Sequence, residues 1–497
     1  MTSPRTSSLS KSRFMAGLQC LKRLYLETYS RHLEDPRDQA AQAILDSGTA
    51  VGELARQRFP GGVLIEEEHD RHAQAAASTA RAMQDDSIPS LFEAAFTFEG
   101  IRTRVDVLRR NDDGTHDLVE VKSSASAKPE HVADAAIQVY VLEGAGVAVS
   151  RAFVMHIDTS YVYAGGPYDL DALFRLQDVT NEVSAYVASL PTRLVPMWET
   201  LAQDYAPPIE IGRHCTSPYR CSFYGLCHQD LPDHYVDQLP YAKANLIQRL
   251  RSDGILDIGD IPEEFAAGLS PMQRRVREAV VEDLPYVGDG LARALDDIAY
   301  PLQFLDFETF SPALPAYPMT RPYQTIPFQW SLHVQDAAGE LSHHAFLHDG
   351  TDDPREAFAS TLLEAVAPEG DILVYHTYEK TITRQLAESL PSYQDALNAL
   401  SERYVDLLAL VRNHYYHSEF HGSFSLKAVL PALVPDLAYD DLDVREGSVA
   451  SLYYARMIDP KMPETEREKL RQALLAYCER DTMAMVRVVE ALRAARP

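Results

Sequence analysis

Long apolar runs are missing from this 497-residue sequence. No stretch approaches the roughly 18 consecutive apolar residues that a membrane span needs, and the polar start, MTSPRTSSLSKSRF, lacks the apolar segment of a signal peptide. These absences predict a cytoplasmic protein with no membrane partner. Cysteine is scarce as well. Five cysteines, an odd number, favour metal binding or free thiols and argue against a framework of disulfides.

Positive charge is also in short supply, because the formal net charge is −27. Proteins that bind nucleic acid through charge alone usually carry a basic surface. Bound metal ions add positive charge at a nuclease site, however, and local basic stretches are present at Lys11, Arg13, Lys22, Arg23, Arg102, Arg104, Arg109 and Arg110. The acidic balance therefore argues against tight binding of DNA but does not exclude catalysis on it.

The order of the sequence patterns indicates an α/β protein with more than one domain. A chain of this length is too long for one hydrophobic core. Residues 1–235 contain a helical start, a β-hairpin pattern and a cysteine-rich end. Residues 236–298 have the apolar periodicity of a helical connector. Within them, Val287-Gly288-Asp289-Gly290 weakly resembles the turn of a helix-hairpin-helix, and a plain connector is favoured. Residues 299–497 begin with the strand-like LQFLDFETF and finish in a long helix.

A hairpin pattern brings acidic and basic residues together in the first of these regions. Asp113-Gly114 separates two runs of β-forming residues, IRTRVDVLRR and LVEVKSS, and is a typical hairpin turn. Because strand side chains alternate between faces, Glu120 and Lys122 share one face. Pairing of the two strands is therefore expected to bring Asp106, Glu120 and Lys122 together.

Two carboxylates and a lysine suit the metal-dependent hydrolysis of a phosphodiester. The carboxylate oxygens bind a hard divalent cation, Mg²⁺ or Mn²⁺, and leave positions open for water and a phosphate oxygen. The lysine can orient the attacking water or help to deprotonate it. Taken alone, the same residues also match an exposed strand with an ordinary ion pair.

The surrounding sequence favours the catalytic interpretation. The pattern Asp106-x13-Glu120-x-Lys122 resembles the PD-(D/E)xK motif of RecB-family nucleases, which have a restriction-endonuclease-like fold. The segment ADAAIQVYVLEGAG resembles the glutamine helix of that family, with Gln138 and Tyr140 in the corresponding places, and Glu93 matches the usual layout. Relatives often have a histidine metal ligand in the helix that corresponds to GTAVGELA. Here Glu53 is the candidate for that ligand.

Four of the five cysteines bracket this region. Cys215, Cys221 and Cys227 are separated by five residues each, and Cys20 lies far upstream. This arrangement resembles the iron–sulfur staple of AddB-type and CRISPR-adaptation nucleases, in which one cluster ties the first helix of a domain to its last segment. The resemblance implies a structural [4Fe–4S] cluster. Tetrahedral zinc also accepts four thiolates, and the spacing does not choose between the two.

The third region has acids of its own. Asp306 and Glu308 face the same way along a strand, and two acids on an otherwise apolar strand are costly unless they hold a cation. Glu379 follows a buried strand, at its junction with a helix. Tyr477 and Asp481, four residues apart, share one face of the final helix. Asp406 is a candidate for an extra acid, although its place favours a helix start, and Cys478 is assigned to the final helix. The segment with Ser425 and Lys427 fits the border of a cleft, and its apolar periodicity is explained equally well by packing.

These residues resemble the motifs of the DEDD 3′–5′ exonuclease superfamily, which has a ribonuclease-H-like fold. Asp306 and Glu308 match its first motif, and Tyr477-x3-Asp481 matches the tyrosine-bearing form of its third. The middle motif normally supplies aspartate, whereas this chain has Glu379. The resemblance implies that Asp306, Glu308, Glu379 and Asp481 hold two Mg²⁺ or Mn²⁺ ions, and that Tyr477 orients the nucleophilic water.

The sequence therefore predicts a metal-dependent nuclease with two candidate active sites. The segments PYQTIPFQWSLH, DILVYHTYEK, GSFSLKAVLPAL and LLAYCERDT together resemble a bacterial family that fuses the two nuclease domains. We therefore expect an exonuclease acting on single-stranded DNA. The first alternative is an exonuclease acting on RNA, because ribonuclease-H-like folds act on both polymers. A second alternative is a nucleic-acid-binding protein in which one or both sites are inactive. A helicase partner is compatible with each of them.

Overall fold

The computed structural model describes residues 8–36, 39–437, 439 and 441–496. The chain divides into two compact units. Unit 1 contains the residues up to Asp230 together with Pro312–Gln324, and unit 2 contains Leu231–Ser311 and the residues from Thr325 onward. The connector expected over residues 236–298 is contained in unit 2.

Unit 1 combines α-helices with a mixed β-sheet. Its strands are β1 (Leu9–Ser10), β2 (Val63–Leu64), β3 (Ser90–Phe98), β4 (Ile101–Arg110), β5 (His116–Lys122), β6 (Val149–Ile157) and β7 (Phe174–Asp178). Its helices are α1 (Lys11–Gln19), α2 (Leu21–Tyr29), α3 (Gln39–Arg56), α4 (His72–Ala82), α5 (Pro129–Gly144), α6 (Leu170–Leu173), α7 (Thr180–Ala202) and α8 (Tyr224–His228). Short 3₁₀ turns lie at Arg31–Leu33, His69–Arg71 and Arg213–Cys215.

The sheet of unit 1 has the order β2-β3-β4-β5-β6-β7, and β1 pairs with β4. Strands β3, β4 and β5 are antiparallel neighbours, whereas β5 and β6 run parallel. A parallel pair needs a crossover, and α5 provides it. Apolar residues cover both faces of the hairpin. Leu108 and Leu118 belong to the core that includes α5, and Val107 and Val119 belong to a second core. Glu120, which shares a face of β5 with Leu118, is therefore buried on the side of α5.

Unit 2 begins with short helices and continues into a second sheet. Its helices are α9 (Ala244–Ser252), α10 (Glu263–Ala266), α11 (Pro271–Glu282), α12 (Leu291–Asp296), α13 (Arg355–Ala365), α14 (Tyr378–Ser389), α15 (Gln394–Ser401), α16 (Leu407–His414), α17 (Leu426–Leu433), α18 (Gly447–Met457) and α19 (Glu464–Ala494). Its strands are β8 (Tyr286–Val287), β9 (Leu302–Phe310), β10 (Ile326–Gln335), β11 (Leu341–Leu347), β12 (Ile372–Val374), β13 (Tyr404–Asp406) and β14 (Tyr415–Tyr416). The 3₁₀ turns lie at Val236–Gln238, Ile258–Asp260, Pro391–Tyr393 and Ser418–Phe420.

The main sheet of unit 2 has five strands in the order β11-β10-β9-β12-β13. The first three are antiparallel neighbours, and β12 runs parallel to both β9 and β13. Helix α19 packs along β9, β10 and β11. The central position of β9 explains its apolar sequence, because both faces of that strand are covered and most of its side chains are buried.

The structure confirms most of the expected elements and corrects one. The hairpin of β4 and β5, the strand β9, the junction of β12 with α14 and the long final helix are all present. Residues 236–298 contain helices α9 to α12, but the Val287-Gly288-Asp289-Gly290 segment within them is not helical. Its first residue lies in β8, which pairs with β14, because the extended Tyr286–Val287 backbone finds hydrogen-bonding partners there. No helix in the described residues combines the length and hydrophobicity that a membrane span requires.

Candidate active sites

The hairpin of unit 1 brings its acids together as the sequence predicts. The register of β4 and β5 sets Val107 opposite Val119, and the backbone N–H of Val121 donates to Asp106 Oδ2 over 2.8 Å. Lys122 Nζ donates to Glu120 Oε1 over 2.7 Å. From α5, Gln138 Nε2 donates to Glu120 Oε2 over 2.6 Å. Both oxygens of Glu120, which is 1% exposed, are therefore held in fixed directions.

Two residues that the sequence analysis did not place in this cluster complete it. Lys11, at the start of α1, donates from Nζ to Glu120 Oε1 over 2.9 Å and lies 3.3 Å from Asp134 Oδ1. Asp134 also accepts a 2.6 Å hydrogen bond from Lys122. Asp134 is four residues before Gln138, so the helical spacing was a usable signal for it. Lys11 is 109 residues from Glu120 in the chain, and no local pattern connects them.

Burial and neighbouring charges shift the pKa values of the residues in this cluster in different directions. Burial, followed by the Glu120 carboxylate, raises the pKa of Asp106 to about 7. Burial would raise the pKa of Glu120 as well, but the ammonium groups of Lys11 and Lys122 outweigh it and lower that pKa. Burial opposes the charge of Lys122, yet the Glu120 and Asp134 carboxylates raise its pKa. Lys122 is therefore an ammonium group at neutral pH, suited to holding phosphate charge and unsuited to taking up a proton.

A cleft of about 920 Å³ opens beside these residues within unit 1. Asp106, Glu120 and Lys122 line it, and Glu53 lies exposed on its wall from helix α3. Glu93 also lines the cleft, where its Oε1 atom accepts a 3.2 Å hydrogen bond from Arg56. The expected ligands from the hairpin and from α3 thus face one cavity.

Tyr140, matched to the glutamine helix, is directed elsewhere. Its hydroxyl donates to Glu99 Oε2 over 2.7 Å. Two positions along a helix rotate a side chain by more than half a turn, which separates Tyr140 from the face that carries Gln138.

The four cysteines expected to form a cluster line one small cavity of unit 1. Cys20 lies between α1 and α2, and Cys215, Cys221 and Cys227 approach from the segment around α8. All four are free thiols. Burial raises the pKa of Cys20, while the backbone N–H groups of Arg23 and Lys22 act in the opposite direction. The structure therefore assembles four sulfur ligands, with backbone N–H donors aimed at one of them.

In unit 2 the acids expected on β9, α14 and α19 influence one another strongly. Asp306 and Glu308 leave the same side of β9, and one ligand atom of each lies within 4.8 Å of the other and of Cys478 Sγ. Burial raises the pKa of Asp306, and the next largest contributions come from Asp481, Glu308 and Glu379. Glu308 is 6% exposed, Glu379 3% and Asp481 8%. Asp306 is half-buried, and together the four side chains form an acidic cluster, to which we refer as the four-carboxylate site.

Among the described residues, the groups that oppose the negative charge of this site still leave the pKa values of its carboxyl groups raised. Burial raises the pKa of Glu379 to about 8 and that of Asp481 to about 6. The Oε2 atom of Glu379 is buried and has no hydrogen-bond partner in the described part of the chain. The Lys427 ammonium group opposes the rise in the pKa of Glu308, which is nevertheless well above its usual range. A divalent cation would supply the charge that is missing.

Tyrosines and a cysteine surround the four-carboxylate site. Tyr477 is buried on α19, and Lys427 Nζ lies 5.4 Å from the centre of its ring. Tyr439, which the sequence gave no reason to select, donates to Asp481 Oδ1. Cys478 belongs to α19 as expected, and its thiol lies 3.5 Å from Asp306 Oδ2. Asp406 begins α16 as expected and accepts from the backbone N–H of Ala409 over 3.0 Å.

Comparisons with known proteins add little to this geometry. The family model described as a domain of unknown function (DUF2779) matches residues 303–425, a range that includes Asp306, Glu308 and Glu379 and ends before α19. Among solved structures, one titled "Crystal structure of SSO0001" is similar over 47% of this chain and 90% of that chain, with 13% sequence identity and a TM-score of 0.24. A likeness this low supports no conclusion. No curated protein matches the chain.

Proposed function

We propose that the protein is a metal-dependent nuclease that hydrolyses phosphodiester bonds of single-stranded DNA from an end. The four-carboxylate site carries this proposal. Three buried carboxyl groups and the half-buried Asp306, all with raised pKa values, destabilise the fold, and a bound divalent cation of the kind used in phosphoryl chemistry would offset that cost. The order of these acids along β9, α14 and α19 supports a ribonuclease-H-like exonuclease for unit 2.

The residues of this site divide into ligands and positioning groups. Asp306, Glu308, Glu379 and Asp481 would hold Mg²⁺ or Mn²⁺, which supplies an activated water and neutralises the leaving oxygen. Tyr439 fixes the orientation of Asp481 through its hydroxyl hydrogen bond. Tyr477 stays protonated, because burial and then the Asp481 carboxylate raise its pKa, and its hydroxyl hydrogen-bonds to Asp481. To orient the attacking water, Tyr477 would have to exchange that hydrogen bond for one to the water.

For unit 1 we propose a second nuclease site, of the PD-(D/E)xK type. Asp106 and Glu120 would hold the cation, with Glu53 as the candidate for a further ligand from the wall of the cleft. Lys122 keeps its proton and would bind the scissile phosphate by charge. Gln138 holds the second oxygen of Glu120 in place. Lys11 already contacts Glu120, so it would have to share that carboxylate with a cation.

For the four cysteines we propose a [4Fe–4S] cluster with a structural role. Within the described chain, no three of their sulfur atoms lie within 4.8 Å of one another. Thiolates around a single zinc ion, with Zn–S bonds of about 2.3 Å, would lie about 3.8 Å apart. The wider spacing suits a group with several iron atoms, and the backbone N–H donors near Cys20 are typical of ligands that stabilise cluster sulfur.

The experiment is a digestion of 5′-labelled single-stranded DNA with Mn²⁺, using full-length protein purified without oxygen. Wild type is compared with Lys122→Ala and Glu308→Gln on a sequencing gel. We expect a ladder of products, and a loss of about 100-fold or more in rate for each site that cuts. The matched controls are Lys128→Ala and Glu402→Gln, because both side chains are exposed.

The same gel distinguishes the other functions. If the DNA stays intact and RNA of the same sequence is degraded, the substrate is RNA and not DNA. If neither polymer is cut, the nuclease proposal is wrong, and a nucleic-acid-binding protein with inactive sites takes its place. If only one variant loses the ladder, that unit contains the active nuclease.

A further inference from the structure

A second group of potential metal ligands lies in unit 2 and includes two histidines. His333 on β10 and His343 on β11 are directly paired across the two antiparallel strands, and their rings stack with centroids 4.4 Å apart. Glu479 approaches from α19. One ligand atom from each of the three residues lies within 4.8 Å of the other two. The group therefore joins three separate elements around one point.

A chain of hydrogen bonds fixes both imidazole rings. His343 Nε2 lies 2.9 Å from Ser331 Oγ, and His333 Nδ1 lies 2.8 Å from Thr482 Oγ1. The two hydroxyl oxygens are 2.8 Å apart, and Thr482 donates to the backbone oxygen of Glu479 over 3.1 Å. One direction of donation satisfies every member. Each ring donates to its hydroxyl, Ser331 donates to Thr482, and Thr482 donates to the helix backbone.

This direction of donation leaves one nitrogen of each ring as an acceptor. The remaining atoms are His333 Nε2 and His343 Nδ1, and the latter lies 3.7 Å from Glu479 Oε1, too far for a hydrogen bond. Metal-binding histidines typically donate their other N–H to a fixed acceptor, which selects the tautomer that can bind. Burial lowers the pKa of both imidazoles, that of His333 to about 4, so the rings are neutral at pH 7.

We propose that His333, His343 and Glu479 bind a divalent transition-metal ion such as zinc. Two imidazoles and a carboxylate suit zinc and its neighbours better than Mg²⁺, which prefers oxygen ligands alone. His333 is 2% exposed, whereas His343 and Glu479 reach solvent, so the ion has a way in and a position left for water. The ion would link α19 to β10 and β11. Helix α19 also carries Asp481 of the four-carboxylate site.

The test is a zinc count on full-length protein purified without oxygen. Wild type, His343→Ala, Glu479→Gln and the control His344→Ala are dialysed against limiting zinc in buffer with millimolar Mg²⁺. The Mg²⁺ occupies the carboxylate sites, and the cysteines are the same in all four proteins. His344 is the next residue on β11, so its exposed side chain points to the opposite face. Zinc per chain is measured by elemental analysis.

We expect wild type and His344→Ala to hold one more zinc ion per chain than the other two variants. Zinc should also raise the unfolding temperature of the first pair and not of the second. Thr482→Val keeps the shape of the side chain but removes the hydroxyl that holds His333, and should weaken zinc binding about 10- to 100-fold. Equal zinc content in all four proteins, or unchanged affinity in Thr482→Val, would overturn the proposal. Neither readout depends on nuclease activity.

Discussion

Replacing Glu379 by glutamine is expected to stabilise the metal-free protein, although the residue belongs to the candidate active site. The side chain is 3% exposed, and its Oε2 atom has no partner in the described residues. Burial raises the pKa of the carboxyl group from 4.5 to about 8. Between these two values the folded protein holds a proton that the unfolded chain has released. The free energy of unfolding therefore falls as the pH rises through this window.

The size of the effect follows from the width of the window. For each pH unit between 4.5 and about 8, the free energy of unfolding of the wild type falls by about 1.4 kcal/mol. At pH 7 this loss amounts to about 3 kcal/mol. Glutamine does not titrate, so the Glu379→Gln variant should escape this loss. The buried amide of glutamine lacks a hydrogen-bond partner, as the protonated carboxyl group of Glu379 does. The free-energy cost of this unpaired group is the same at every pH. The advantage of the variant over wild type should thus grow with pH and level off above pH 8.

The assay is urea unfolding in the presence of a chelator at several pH values from 5 to 8. The chain has two tryptophans, and Trp330 lies on β10 of unit 2. A Trp198→Phe background leaves Trp330 as the reporter of unit 2. Glu402→Gln, at a side chain that is 80% exposed, is the control and should show no such trend.

The advantage of the Glu379→Gln variant over wild type should shrink when Mn²⁺ is added. An ion present at 100 times its dissociation constant stabilises wild type by about 2.7 kcal/mol, and the variant should gain less because it has lost one ligand. A difference between Glu379→Gln and wild type that does not change with pH would refute the reasoning. So would a variant that is less stable than wild type at pH 8 in chelator.

Two further predictions concern the cysteines and a close backbone approach. The Cys215→Ser variant should lose iron and acid-labile sulfide. The control Cys478→Ser, which replaces the cysteine beside the carboxylates, should keep both. Equal iron contents in the two variants would contradict the proposed cluster. Gly422→Ala should destabilise unit 2 by about 3 kcal/mol, because φ is +76° and a Cβ atom would lie 1.7 Å from the Gln238 backbone oxygen. Gly339→Ala, with φ +89° and open space, should cost only about 1 kcal/mol in the same urea assay, and equal losses would refute the steric argument.

Local periodicity predicted the elements that carry the acids. Alternation along a strand places Asp306 and Glu308 on one side of β9, and the four-residue spacing places Tyr477 and Asp481 on one face of α19. The turn at Asp113-Gly114 set the register that brings Asp106 to the backbone of Val121. In each case the signal lies within one helix, one strand or one tight turn.

Contacts between elements that are distant in sequence could not be predicted in this way. Lys11 reaches Glu120 only because α1 and the hairpin pack together in unit 1. Tyr439 lies outside regular secondary structure, so no periodicity directs it toward Asp481. The pairing of His333 with His343 depends on the register of β10 and β11, which a lone sequence leaves open. Such contacts arise from tertiary packing, which single-sequence patterns do not record.

The most direct test of the central claim is the rate at which a double variant, Glu120→Gln with Glu308→Gln, digests single-stranded DNA and RNA in Mn²⁺. Each substitution removes a buried ligand and keeps its shape. Wild type should cut the DNA, and the double variant should not exceed the rate of a reaction without protein. Cutting by the double variant at the wild-type rate, or no cutting by wild type, would contradict the account.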